Sequence, residues 1–236
     1  MHRTLNVTRL HFVKPLVSLG TPLLIVGLVL VVTWIIAAIL MRAGLDPASA
    51  EYADGARQNL GMVWSLPGFL VYFGVQAVAT TFPYALALGS SRRAYVLGTA
   101  LANVAIAAYV TIIMTALLAL ELATDHWFFG AYALDNVAFG NGSFGVLIPA
   151  VFLGTLVALS VGGAFGAVWV RFGAKGPTIV ALAVALVLVI ALLIVVPQIG
   201  EIVAAITRPR VALVAVVIAA VAMLGTWACM RRTAVR

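Results

Sequence analysis

Six apolar stretches constrain this chain more than any other feature of it. They run over residues 20–41, 62–82, 95–120, 146–170, 177–196 and 211–230. A helix rises 1.5 Å per residue, so about 20 residues cross the roughly 30 Å hydrocarbon layer of a bilayer. No water reaches that layer, so a spanning segment must satisfy its backbone polar groups internally, as a helix does. The expected fold is therefore an all-α integral membrane protein with six transmembrane helices, forming a single transmembrane domain over residues 1–236. Composition argues against a soluble alternative. Hydrophobic residues make up 64% of the chain and charged residues 9%, against about 45–50% and 25% in soluble domains. The first stretch follows a basic start, as a signal peptide would, but it is too long for a signal h-region and is expected to be retained.

Charge sets the orientation. With the N-terminus inside, the cytoplasmic segments hold Arg3, Arg9, Lys14, Arg92, Arg93, Arg171, Lys175, Arg231, Arg232 and Arg236. The outer segments hold only Arg42, Arg57, Arg208 and Arg210. That imbalance follows the positive-inside rule, so both termini are expected in the cytoplasm, with the protein multi-pass in the inner, cytoplasmic membrane. The acids Asp46, Glu51, Asp54, Glu121, Asp125, Asp135 and Glu201 all fall outside or at the outer border. Because the cations sit at membrane borders, the net charge of +7 points to anionic membrane lipid as a partner and not to nucleic acid.

Several chemistries are missing from the sequence. One cysteine, Cys229, allows no internal disulfide. His2, His11 and His126 are scattered, and no metal-ligand spacing is present. No P-loop pattern occurs; the run from Gly173 to Thr178 is too short for one. No ionisable side chain lies deep in a span, where ion-coupled transporters usually keep one. Ser160 lies mid-span without a base at its depth, so it is expected to bond its own helix backbone. The chain is therefore expected not to be an enzyme and to have no metal site or cofactor of its own.

Polar and small residues recur at helical spacing on three faces. Tyr72, Gln76 and Thr80 are spaced by four on the second span. A buried amide needs a partner, so this face is expected to meet protein or a cavity, as a packing surface or as the lining of a substrate path. Thr99, Asn103, Ala107, Thr111 and Thr115 mark a packing face on the third span. Gly154, Ala158, Gly162 and Gly166 form a small-residue ladder on the fourth, expected to pack closely within the chain or against another subunit. The fifth span is apolar throughout. The N-terminal segment, residues 1–19, mixes apolar and basic residues and reads as an interfacial helix or a solvated tail. Residues 122–145 form an aromatic-rich outer interfacial loop, expected to hold a short or re-entrant helix.

The connection over residues 83–95 is the most informative. Pro83 is expected to break or kink the second span, with residues 84–88 forming a short helix along the interface. Gly89 can close it, and Ser90 or Ser91 can cap the next helix. Arg92 and Arg93 then occupy a first turn, where the helix dipole disfavours cations. Topology, anionic lipid or an acidic cytoplasmic partner would each account for them.

In this segment Phe82-Pro83, Leu88-Gly89-Ser90-Ser91-Arg92-Arg93, Tyr95 and Leu97-Gly98 resemble the ABC-2-type permeases, the membrane subunits of one class of ATP-binding-cassette exporter. The six-span topology and basic N-terminal segment fit that family as well. The resemblance implies an ABC-2-type permease fold and a second permease chain, identical or not. It also implies a separate ABC ATPase subunit, which would bind the ATP and Mg. Residues 83–95 would be the ATPase-coupling segment, with Pro83, Tyr84, Leu88, Gly89, Ser91, Arg92, Arg93 and Tyr95 its principal residues. Tyr72, Gln76 and Thr80 would line a candidate substrate path facing the fifth span. The greasy fifth span suggests a hydrophobic or amphipathic cargo, such as a lipid, drug or antimicrobial peptide. The chain departs from larger members in lacking a big outer domain, and its last outer loop, 198–210, is short for an outer gate. A non-transporting assembly or sensory subunit remains the alternative, and the small-residue ladder suits it equally well.

Overall fold

The computed structural model describes residues 2–200 and 206–231. The described chain is helical with no strand, and six helical units are long and apolar enough to cross a membrane. The expected all-α, six-span architecture is present. Arg232, Arg236 and Glu201 lie outside the described residues, as does the middle of the 198–210 loop, so the outer gate expected there is not described.

The helices are α1 (His2–His11), α2 (Thr21–Arg42), α3 (Ala50–Ala56), α4 (Gly61–Ser65), α5 (Pro67–Ala87), α6 (Arg92–Ala123), α7 (Phe144–Phe172), α8 (Lys175–Val195) and α9 (Arg208–Arg231). The second span is thus α4 and α5 in succession, with Pro67 in the first turn of α5, where its missing N–H costs nothing.

Helices α5 and α7 form the centre of the bundle, and glycine sets their distance. A Cβ added at Gly166 would stand 2.6 Å from the Val75 carbonyl oxygen. One at Gly162 would overlap the Val71 carbonyl, and one at Gly74, on the facing helix, would overlap that of Leu159. The small-residue ladder is therefore internal at Ala158, Gly162 and Gly166. Gly154 is different: it is exposed, and nothing lies within 4 Å of its Cβ direction.

Around this pair pack α6 and α9. The α6 face of Thr99, Asn103, Ala107 and Thr111 is buried as its spacing predicts. Helix α1 is neither a solvated tail nor a free interfacial helix. It lies against α6, burying Val7, and the Thr8 hydroxyl donates to the Gly98 carbonyl at 3.1 Å. A side chain at Gly98 would strike Val7, so that glycine admits α1. Helices α2 and α8 are peripheral. From Leu182 to Ile194, α8 is exposed and apolar all round, a surface that a bilayer solvates. Helix α1 and the end of α9 lie at one end of the bundle; α3 and residues 124–143 lie at the other.

Two expectations about connections need correction. Pro83 does not end the second span, and residues 84–88 are not a separate interfacial helix: α5 runs through Pro83 to Ala87. Phe82 and Ala85, on either side of the proline, are almost completely buried against the core. That packing holds the helix together despite one lost backbone hydrogen bond. Residues 122–145 hold no re-entrant helix. A tight turn over His126–Gly130 leads into an irregular segment whose residues 131–136 are all buried.

Candidate functional site

The turn between α5 and α6 is built from three local devices. Gly89 adopts φ +80°, which an L side chain rarely takes. Its N–H donates to Leu86 O at 2.9 Å, and the Ser90 N–H donates to Ala85 O at 3.0 Å, a Schellman closure of α5. One residue later the Ser91 hydroxyl accepts the Ala94 N–H at 3.2 Å and starts α6. The reversal between two long spans is thereby short and fixed.

Behind the turn lies Tyr95, completely buried. Its hydroxyl donates to Ala77 O at 2.9 Å and lies 2.6 Å from the Thr81 hydroxyl, while its ring meets Phe82 edge-on. Tyr95 therefore cannot be a surface contact; it ties α6 to α5. Arg92 is also engaged within the chain. Its Nη1 donates to Met230 O at 2.8 Å and Arg231 O at 2.6 Å, and Arg171 reaches Ala228 O at 3.4 Å. Cations at the last carbonyls of α9 are favoured by that helix's dipole. This accounts for Arg92 in the unfavourable first turn of α6, and sequence spacing gave no sign of it. Of the remaining residues expected in this segment, Tyr84, Leu88, Gly89, Ser91 and Arg93 are exposed, and Pro83 is half-buried.

The Tyr72, Gln76 and Thr80 face does not meet protein within this chain. Helix α5 turns it outward: Tyr72 and Thr80 are exposed and Gln76 half-exposed. The Thr80 hydroxyl satisfies itself on Gln76 O at 2.6 Å. The opposite face of α5 carries Gly74, Ala77 and Val78, which the close approach of α7 takes up.

A polar seam runs inward from α1. His11 Nε2 and the Thr99 hydroxyl are 3.0 Å apart in a buried contact. Burial pulls the His11 pKa down to about 4, so its ring is neutral near neutral pH. Beyond it, Thr99, Asn103, Ser160 and Thr226 line a cavity of about 20 Å³. The Ser160 hydroxyl, buried, makes no hydrogen bond there. It does not bond its own helix backbone as expected, and it shares the small cavity with Asn103 and Thr226.

At the other end of the bundle, Glu121 organises a cap. Its carboxylate is fully buried and accepts the N–H groups of Ala133 at 3.0 Å, Leu134 at 2.8 Å and Asp135 at 3.0 Å. Asp135, also buried, accepts from Arg57 at 3.2 Å and pairs with His126 Nε2 at 3.0 Å. The His126 ring stacks on Tyr132 with centroids 3.9 Å apart. Four consecutive residues, Asp125 to Phe128, hold positive φ, a conformation that costs energy outside glycine and needs such anchoring. These residues were legible only as border charges. The one hint was an acid ending a long apolar helix just before an aromatic-rich loop. Among the described residues, no group of His, Cys, Asp and Glu could hold a metal ion.

Comparison with family models, with curated proteins and with solved structures gives no match to this chain.

Proposed function

We propose that the chain is the membrane-spanning permease subunit of an ATP-driven exporter, with hydrolysis in a separate cytoplasmic ATPase subunit. One observation carries this reading: the short α5–α6 turn presents Tyr84, Leu88, Ser91 and Arg93 outward while Tyr95, Phe82 and Arg92 fix it to α5, α6 and α9. Force applied to such a turn passes directly into three helices. The exposed cations Arg3, Arg9, Lys14 and Arg93 gather at the same end as this turn, which supports a cytoplasmic position for it. The cargo is hydrophobic or amphipathic, and the outward Tyr72, Gln76 and Thr80 face is the surface offered to a second permease chain. Ala158, Gly162 and Gly166 of the small-residue ladder are taken up within the chain, chiefly by α5–α7 packing, which leaves only Gly154 of the ladder for another subunit.

The test separates the outward residues from the inward ones. Arg93→Glu with Tyr84→Ala should abolish co-purification with the ATPase and leave the chain's thermal stability unchanged. Arg92→Glu should lower stability by about 1–3 kcal/mol through loss of its charged hydrogen bonds at α9. Unchanged ATPase capture by the Arg93, Tyr84 variant would refute the assignment, as would ATP hydrolysis by the isolated chain.

A further inference from the structure

A cavity lies away from the α5–α6 turn, at the end of the bundle that carries the Glu121 cap. It is a partly open cleft of about 840 Å³ between the second half of α2, helix α3 and residues 130–132. Pockets that hold small molecules span about 300–1,000 Å³. Ile36, Ala37 and Leu40 give it an apolar wall that descends from the end of α2 into the span. From Thr33 to Leu40 that wall is about 10 Å deep at 1.5 Å per residue. Polar groups stand at the rim.

The charge on the rim has one sign. Asp46 and Glu51 line the cavity, and no Lys or Arg does. Among the described residues, neither carboxylate is in an ion pair. Asp46 uses one oxygen, Oδ1, on the Ala48 N–H at 2.9 Å. Arg57, close in sequence, is held by Asp135 and lies over the Tyr132 ring instead.

The walls are fixed in advance. The Tyr52 hydroxyl donates to Gly130 O at 2.9 Å, and Asn59 Nδ2 donates to Tyr132 O at 3.2 Å. These bonds tie α3 and the residues just after it to the capping segment, so the cavity does not depend on an occupant for its shape, and little ordering cost opposes binding.

We propose that this cavity binds one cationic amphiphile drawn from the adjoining leaflet, its alkyl chain along Ile36, Ala37 and Leu40 and its ammonium group beside Asp46 and Glu51. An apolar shaft topped by unpaired carboxylates complements a single tail with a positive head. A neutral lipid would gain nothing from the two exposed acids, and an anionic one would be repelled. The inference concerns binding by the chain alone and does not rest on the exporter reading.

The probe is a dodecyltrimethylammonium carrying a photoreactive diazirine in its chain, applied to the full chain in phosphatidylcholine nanodiscs. Adducts should map by mass spectrometry to residues 33–40 and 130–132. Unlabelled dodecyltrimethylammonium should compete, and dodecyl sulfate should not. Asp46→Asn with Glu51→Gln should weaken the competition about tenfold, at about three- to fivefold for each exposed charge. Ile36→Trp, at an exposed position, should fill the shaft and remove the adducts. Labelling spread equally over the apolar surface of α8 would overturn the proposal. So would equal competition by the two head groups, or undiminished binding in the carboxamide variant, whether or not the tryptophan variant folds.

Discussion

Replacing Gly166 by alanine should force α5 and α7 apart. The added carbon would stand 2.6 Å from Val75 O and 3.1 Å from Val78 Cβ. An ordinary carbon–oxygen contact is about 3.3–3.6 Å, so the helices must separate by roughly 0.7–1 Å. A gap of that size forfeits about a quarter to a half of the dispersion energy of each contact it opens. Overpacking of this kind costs about 1–3 kcal/mol, against about 1 kcal/mol gained from the better helix propensity of alanine. Gly162→Ala, which meets the Val71 carbonyl, should cost at least as much. Gly154→Ala is the control, because its Cβ meets nothing within 4 Å and keeps the propensity gain. Thermal unfolding of the three variants in detergent, followed by loss of the monodisperse peak in size-exclusion chromatography, reads the order directly. Gly166→Ala and Gly162→Ala should melt below the parent chain, and Gly154→Ala at or above it. If all three melt alike, close backbone approach does not hold α5 to α7.

Glu121→Ala should free three buried backbone N–H groups at once. At about 1–3 kcal/mol each the cap should open, and limited proteolysis within 124–143 should accelerate by orders of magnitude; an unchanged digest would show that the carboxylate does not organise the segment. His11 gives a pH dependence of definite sign. Buried and neutral in the folded chain, it takes a proton only near pH 4, while its unfolded counterpart does so near 6.5. Its contribution is therefore fully present above about pH 6.5 and is lost as pH falls toward 4, by up to about 3 kcal/mol. His11→Gln should flatten the stability profile across that window, and a profile identical to the parent's would refute the assignment.

The spans were legible because apolar length is a local property. The bilayer constraint acts on each stretch by itself, so six were recognisable without knowing how they pack. Local chemistry was legible for the same reason: Gly89 and Ser91 close one helix and open the next using groups within six residues of each other. The partners of Arg92 could not be read this way, since the carbonyls it binds lie some 140 residues further along the chain. The same holds for Glu121, whose role requires the loop after it to fold back.

Sequence alone thus determined that this is a six-span helical membrane protein with a basic turn between its second and third spans, because hydropathy, charge and capping act over one helix or one turn. Tertiary structure decided which side of each helix looks inward. Spacing by four put Tyr72, Gln76 and Thr80 on one face of α5, and Gly162 and Gly166 on one face of α7, without saying which faces would meet. The close approach of α7 claimed the glycine side of α5 and turned the polar side outward. Two backbones can come that near only where neither carries a side chain, and that match is a property of the pair, not of either segment.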